Sequence, residues 1–324
     1  MEKIVVWQTA FLGDLVLTSN LLLNLHKNFP DREIFLVARP FAEELFFDLP
    51  WLRIIPFNKT LKENWEIIKK LKGFDLAISP HRGLRTSLSL FLARIKERVG
   101  FDRAEFSFLY TKRAKHEWDI HEVERNQRLL KVLGLKIFTQ SLHIALKREE
   151  IEEVQKKFGL EKPFVVVSPG ANFRLKKWIP KNFGLTINYL INKGFNIVLT
   201  GTTQDLETAK EVLNFVRKPK YVKNLIGMTS LRELIHIIKL SEFVLTNDSA
   251  PTHIANAVNV PAFTVYCATS AYYGFYPRIG FYFEPLGLEC HPCSPNPKKC
   301  KNKTELCRSS VRPIELIELF ENLL

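Results

Sequence analysis

No apolar run in the 324-residue sequence approaches the ~18 residues that a membrane-crossing helix needs. The opening stretch, Met1 to Trp7 followed by Gln8 and Asp14, also lacks the basic-then-apolar layout of a secretory leader. A cytoplasmic chain is therefore expected. There is no Asp-x-Asp pair, no Gly-x-Gly-x-x-Gly, no Gly-Lys-Ser/Thr and no His-Glu-x-x-His. These absences disfavour a carboxylate-held divalent metal at a diphosphate, a dinucleotide redox enzyme, a P-loop ATPase and a zincin. With only five cysteines the chain is no disulfide miniprotein, and 46% hydrophobic residues exclude a disordered one.

What is present is charge of one sign. Lys and Arg number 47 against 34 Asp and Glu, a formal +13, with +6 carried by residues 1–150 and +7 by the remainder. Such a balance suits nucleic acid, an anionic membrane surface or phosphorylated small molecules, and composition does not choose among them. The length fits two domains with separate cores.

The chain begins strand, glycine turn, helix, strand: Lys3–Trp7, then Gln8–Gly13, then a helical pattern from Asp14 through His26, then Glu33–Ala38. Further strands are expected at 75–79 and 98–101, alternating with helices over 61–72 and 85–95. After the helix over 149–158 the same grammar restarts, with strands at 164–168, 195–200, 243–246 and 262–266. Two such series predict two doubly wound parallel-sheet domains facing one another, 1–155 and 156–324. In such sheets ligands gather beyond the carboxyl ends of strands, which singles out Thr9–Asp14, Ser168–Trp178, Gly201–Asp205 and Asn247–His253.

Each of these loops has a bland reading beside a chemical one. Asn247-Asp248-Ser249-Ala250-Pro251-Thr252-His253 enters a helix, and its unpaired N–H groups suit a phosphate, or Asp248 or Ser249 is simply an N-cap. Asp14, at the start of the first helix, is either a cap or a carboxylate held ionised to accept a hydroxyl proton. Arg174, Lys176 and Lys177, after Ser168-Pro169-Gly170, can neutralise a departing pyrophosphate or merely face water. Cys290-x2-Cys293-x6-Cys300-x6-Cys307 admits a structural zinc or an iron–sulfur cluster, with Lys298, Lys299, Lys301, Lys303 and Arg308 offsetting thiolate charge; reduced thiols or a disulfide are the alternatives. Cys267, in strand context, is expected in the core.

The Gly13-Asp14 turn, Pro169-Gly170-Ala171 with Lys177-Trp178 and Pro180, and Thr246-Asn247-Asp248-Ser249 with His253 resemble the ADP-heptose:lipopolysaccharide heptosyltransferases. The resemblance runs from about residue 4 to residue 270. It implies a GT-B fold of two Rossmann-like domains, the first on the acceptor side and the second holding the ADP-sugar. It also implies an inverting, metal-independent transfer of L-glycero-D-manno-heptose to inner-core lipopolysaccharide, with no cofactor required. Carried over by position, Asp14 is the general base and Lys177 binds the donor phosphates. Thr9, Gly13, Ser168, Gly170 and Gly201 shape the donor site, and Asp248, Ser249, Ala250 and His253 surround heptose and pyrophosphate. Asp205 holds the ribose, and Met228 lies where adenine is read by backbone.

Arg82 and Arg85, in Pro80-His81-Arg82-Gly83-Leu84-Arg85, are candidates to grip an anionic acceptor, Kdo-lipid A or its heptosylated form, at the inner-membrane surface. Ala250 stands where the family commonly has glycine, adding a methyl beside the phosphate, and Tyr266-Cys267-Ala268-Thr269 replaces the usual Tyr-Gly-Pro. A GT-B transferase, epimerase or hydrolase of another sugar nucleotide stays open. A basic zinc-containing nucleic-acid binder is the more remote reading, and no nucleic acid partner is expected.

Overall fold

The computed structural model describes residues 3–300 and 302–323; Met1 and Lys301, both named above, lie outside the described residues. Two compact units divide between Ala145 and Leu146. In the first, strands β1 (Lys3–Trp7), β2 (Glu33–Ala38), β3 (Leu52–Pro56), β4 (Leu76–Ile78), β5 (Glu97–Phe101) and β6 (Lys112–Ala114) pair in parallel in the order 3-2-1-4-5-6. Its helices are α1 (Leu12–Asn28), α2 (Ala42–Phe46), α3 (Leu61–Lys70), α4 (Leu84–Leu92) and α5 (Glu122–Lys131). The second unit repeats the order with β7 (Phe164–Ser168), β8 (Asn196–Leu199), β9 (Val222–Asn224), β10 (Val244–Asn247), β11 (Ala262–Val265) and β12 (Gly280–Phe283), arranged 12-11-10-7-8-9. Around it lie α6 (Arg148–Phe158), α7 (Pro180–Asn192), α8 (Leu206–Leu213), α9 (Leu231–Leu240), α10 (Ala250–Ala257), α11 (Cys307–Ser310) and α12 (Pro313–Leu323).

Central strands covered on both faces must be apolar on both faces, which is why β1 and β7 read as unbroken hydrophobic runs. Val5 and Trp7 anchor one core with Phe57, Phe74 and Leu90. Val165 and Val167 anchor the other with Trp178, Phe183 and Phe320. Each such side chain, fully removed from water, contributes about 1.5–3 kcal/mol.

The strand order places a topological switch between β1 and β4, and a second between β7 and β10. Connections leave those strands in opposite directions, opening a crevice at their carboxyl ends. The loops beside the first switch are 8–11 and 79–83; those beside the second are 169–179 and 248–249. Three of the four loops singled out in the sequence flank a switch point.

Two boundaries differ from expectation in ways that matter. The first helix starts at Leu12, so Asp14 lies inside its first turn and its carboxylate reaches back to accept from the Phe11 N–H at 3.2 Å. The helix after β10 starts at Ala250, with Pro251 in its first turn where no helical N–H is lost.

Candidate active site

The second unit assembles the denser constellation. Asn247, last residue of β10 and fully buried, receives the Trp178 N–H on Oδ1 at 2.9 Å and donates from Nδ2 to the Pro169 carbonyl at 2.7 Å. One side chain thus ties both ends of the loop after β7 to the end of β10. Ser168 and Thr200 share a hydroxyl hydrogen bond at 2.6 Å, fixing the ends of β7 and β8. On this frame two ion pairs form: Lys176 with Asp248 at 2.7 Å and Lys177 with Asp205 at 2.8 Å, all four side chains mostly buried.

Asp205 is the pivot. Its Oδ2 accepts from the Thr202 N–H and hydroxyl, while Oδ1 holds Lys177. Gly170 lies against that carboxyl group so closely that a Cβ there would stand 2.4 Å from Cγ, and one at Gly201 would stand 3.2 Å from Oδ2. Gly227, at φ +75°, donates to the Gly201 carbonyl at 2.9 Å and sets Met228 beside this loop, 62% exposed. Ser168, Gly170, Lys177, Gly201, Asp205 and Met228 are therefore brought together.

Ser249 precedes α10 in extended backbone, but its hydroxyl bonds Thr246 Oγ1 at 3.0 Å and the Asn247 carbonyl, making no side-chain cap. The capping alternative for Ser249 does not hold. Ala250 is the first helical residue. His253, one turn inside α10, is lowered to about 4 chiefly by burial, so it is neutral at pH 7.

In the first unit, buried Thr9 and Gly13 flank Asp14. Its charge is felt at Lys59, Arg82, Glu122 and Arg125. The Arg82 guanidinium lies over the Trp118 ring at 4.8 Å, and Arg125 over the same ring at 5.3 Å. Arg85 donates to the Lys59 carbonyl at 2.5 Å. Glu122 pairs with Arg125 at 3.0 Å, yet burial pushes its carboxyl up to about 7 against the pull of that cation. Arg82, Arg85 and Asp14 thus belong to one cationic neighbourhood. Sequence reasoning did not select Trp118, Glu122 or Arg125, because a polar helix start gives no sign that it is buried.

The cysteine segment presents a smaller feature. Cys290, Cys293 and Cys300 line a cavity of about 200 Å³ with Glu289, Pro292 and Asn302. Cys307 lies buried nearby, pushed up to about 11 by burial and the other three thiols. His291 is committed to the Thr269 carbonyl at 2.7 Å. Among the described residues no three His, Cys, Asp or Glu side chains are grouped to hold a metal ion. Cys267 is a core thiol, fully buried as expected.

Comparison with known proteins bears on the family and the fold. The family model described as glycosyltransferase family 9 (heptosyltransferase) matches residues 65–301. The chain is 24% identical over 330 residues to lipooligosaccharide heptosyltransferase 2 of Campylobacter jejuni, covering 99% of this chain and 98% of that one. The structure of Escherichia coli ADP-heptose lps heptosyltransferase II superposes with a TM-score of 0.79 at 21% identity, covering 100% of this chain and 98% of that one. The E. coli heptosyltransferase WaaC with ADP-2-deoxy-2-fluoro heptose superposes at 0.73 and 17% identity, covering 99% and 100%.

Proposed function

Because the chain belongs to glycosyltransferase family 9, the heptosyltransferases of lipopolysaccharide biosynthesis, we propose that it transfers heptose from ADP-heptose to the lipopolysaccharide inner core with inversion and without a metal. The observation that carries this reading is the paired Lys177–Asp205 and Lys176–Asp248 arrangement beside the α10 N-terminus. It offers what an ADP-sugar needs: carboxylate for ribose hydroxyls, and cations and N–H groups for a diphosphate.

In the proposed reaction the acceptor hydroxyl attacks the anomeric carbon as Asp14 takes its proton, and the bond to the diphosphate breaks on the opposite side. Lys177 leaves Asp205 Oδ1 for the departing phosphate, and that oxygen turns to the ribose. Charge that develops on the leaving ADP is met by Lys176, Lys177 and the first N–H groups of α10. The neutral ring of His253 adds no competing charge below the sugar. In the first unit, Arg82 and Arg85 bind carboxylate or phosphate of Kdo-lipid A or heptosyl-Kdo-lipid A. We place the reaction at the cytoplasmic face of the inner membrane.

Calorimetric titration with ADP, UDP and GDP in the absence of divalent metal tests the donor side. Selective ADP binding is expected. Equal affinity for all three, or none for any, overturns the reading.

A further inference from the structure

Outside this site, the feature left without a role is an exposed apolar face on the first unit. α3 shows Leu61 at 74% and Trp65 at 56% exposure, one turn apart; α4 shows Leu88 at 39% and Phe91 at 45%; the loop between β5 and β6 shows Phe106 at 49% and Phe108 at 70%. α3 packs against α4, and α4 against the short turn Ser107–Leu109, so the three pieces are neighbours. Single exposed apolar side chains are ordinary, whereas a contiguous set marks an interaction surface.

The loop is held as firmly as a core element. Glu105 accepts the Leu84 N–H on Oε2 at 2.7 Å, its own N–H donates to the Arg82 carbonyl at 2.9 Å, and its carbonyl accepts from Ser87 at 2.8 Å. Phe106 is kept at φ +54°, a left-handed conformation that costs a bulky residue energy. The two rings stand 5.4 Å apart at the tip.

Charge names the occupant. Residues 59–115 hold 14 Lys and Arg against 6 Asp and Glu, a formal +8 of the chain's +13. Lys62, Arg94, Lys96, Arg103, Lys112 and Arg113 are exposed there. A second copy of the chain would set this positive face against its own like charge. An anionic bilayer supplies acyl chains for the aromatic and aliphatic groups and negative headgroups for the cations.

We propose that α3, α4 and the Phe106–Phe108 loop form a docking face for an anionic lipid bilayer. α4 begins two residues after Arg82, so docking would bring the candidate acceptor grip to the headgroup level. The purpose of the face rests on the proposed lipid-linked acceptor, but its test does not.

Co-sedimentation with phosphatidylcholine vesicles, with and without phosphatidylglycerol, reads the face directly and needs neither donor nor acceptor. About tenfold stronger partitioning onto phosphatidylglycerol-containing vesicles is expected, weakened by salt. Phe108→Ser combined with Leu88→Ser should lower that partitioning about tenfold or more while ADP affinity is unchanged. Lys96→Glu with Arg113→Glu, at exposed positions, should lower it comparably and guards against a folding defect in the first variant. The proposal is overturned if wild-type protein stays in the supernatant or if both variants sediment like wild type. It is also overturned if ultracentrifugation shows a dimer that Phe108→Ser dissolves, because the face then joins two copies. ADP binding without vesicle binding sinks this proposal alone, and vesicle binding without ADP binding sinks the transferase reading alone.

Discussion

Asp14, the proposed general base, carries the most specific demand placed on one side chain. A base that acts only as the acceptor hydroxyl attacks should matter to turnover and not to donor affinity. Asp14→Ala is therefore expected to lower transfer about 10²–10⁴-fold while calorimetric ADP affinity stays within about twofold. Wild-type turnover in that variant would remove Asp14 from the mechanism. Gly170 makes a complementary demand in the second unit. A methyl there would drive the Asp205 carboxyl from Lys177 and from Thr202, so Gly170→Ala should weaken ADP binding about tenfold and, by breaking a mostly buried ion pair, also lower the melting temperature. Both residues were visible in the sequence as members of a motif. Their partners were not: nothing in the chain order tells that Lys177 meets Asp205 rather than Asp248, because that pairing is decided by which strand lies next to which.

Among the elements, α1 shows how polar residues can be structural. Asn20, Asn24 and Asn28, four apart on one face, hold the backbone of residues 136–141 by side-chain hydrogen bonds. Asn24 alone accepts from the N–H groups of Phe138 and Thr139 at 2.7 and 3.0 Å and donates to the Thr139 carbonyl at 3.0 Å. The strap has no helix or strand, so these side chains stand in for a ladder. Asn24→Ala should cost about 2–4 kcal/mol in urea unfolding, since it strands buried backbone groups; a loss below about 0.5 kcal/mol would show that water replaces the amide. The strongly apolar elements were legible, and β7 has the bounds its sequence suggests. β3, exposed at Arg53 and Pro56, and β12, exposed along three of its four residues, show no regular alternation of buried and exposed positions for the sequence to reveal. α5 escaped because its buried face holds Glu122, Arg125, Asn126 and Gln127, which hydropathy reads as solvent-facing.

For the whole molecule, buried histidines set the acid limit. Burial holds His81 and His253 at about 4 and His116 at about 3, below their ordinary 6.5. Between pH 6.5 and about 4 the unfolded chain binds protons there that the folded chain refuses. The stability they contribute is thus complete above pH 6.5 and is lost as pH falls. Glu122, raised to about 7 from 4.5, acts oppositely: its contribution is present below pH 4.5 and is lost as pH rises toward 7. Three histidines against one glutamate give a net fall in melting temperature from pH 6.5 to 4. Glu122→Gln should steepen that fall by removing the opposing group, and an unchanged slope would show that Glu122 is ionised throughout.

Among the described residues of the cysteine-bearing stretch 284–306 there is no helix or strand, yet the stretch leads into the residues that brace the proposed phosphate-binding loop. Arg308, next to Cys307, donates to the Lys177 carbonyl at 2.9 Å and accepts the Ile179 N–H at 3.1 Å, while Trp178 Nε1 donates to the Val311 carbonyl at 2.8 Å. The proposed diphosphate cation thus stands one hydrogen bond from a neighbour of a thiol. Oxidative injury at the sulfurs would then be felt as a brake on nucleotide capture: peroxide treatment should weaken ADP binding before circular dichroism registers any loss of helix.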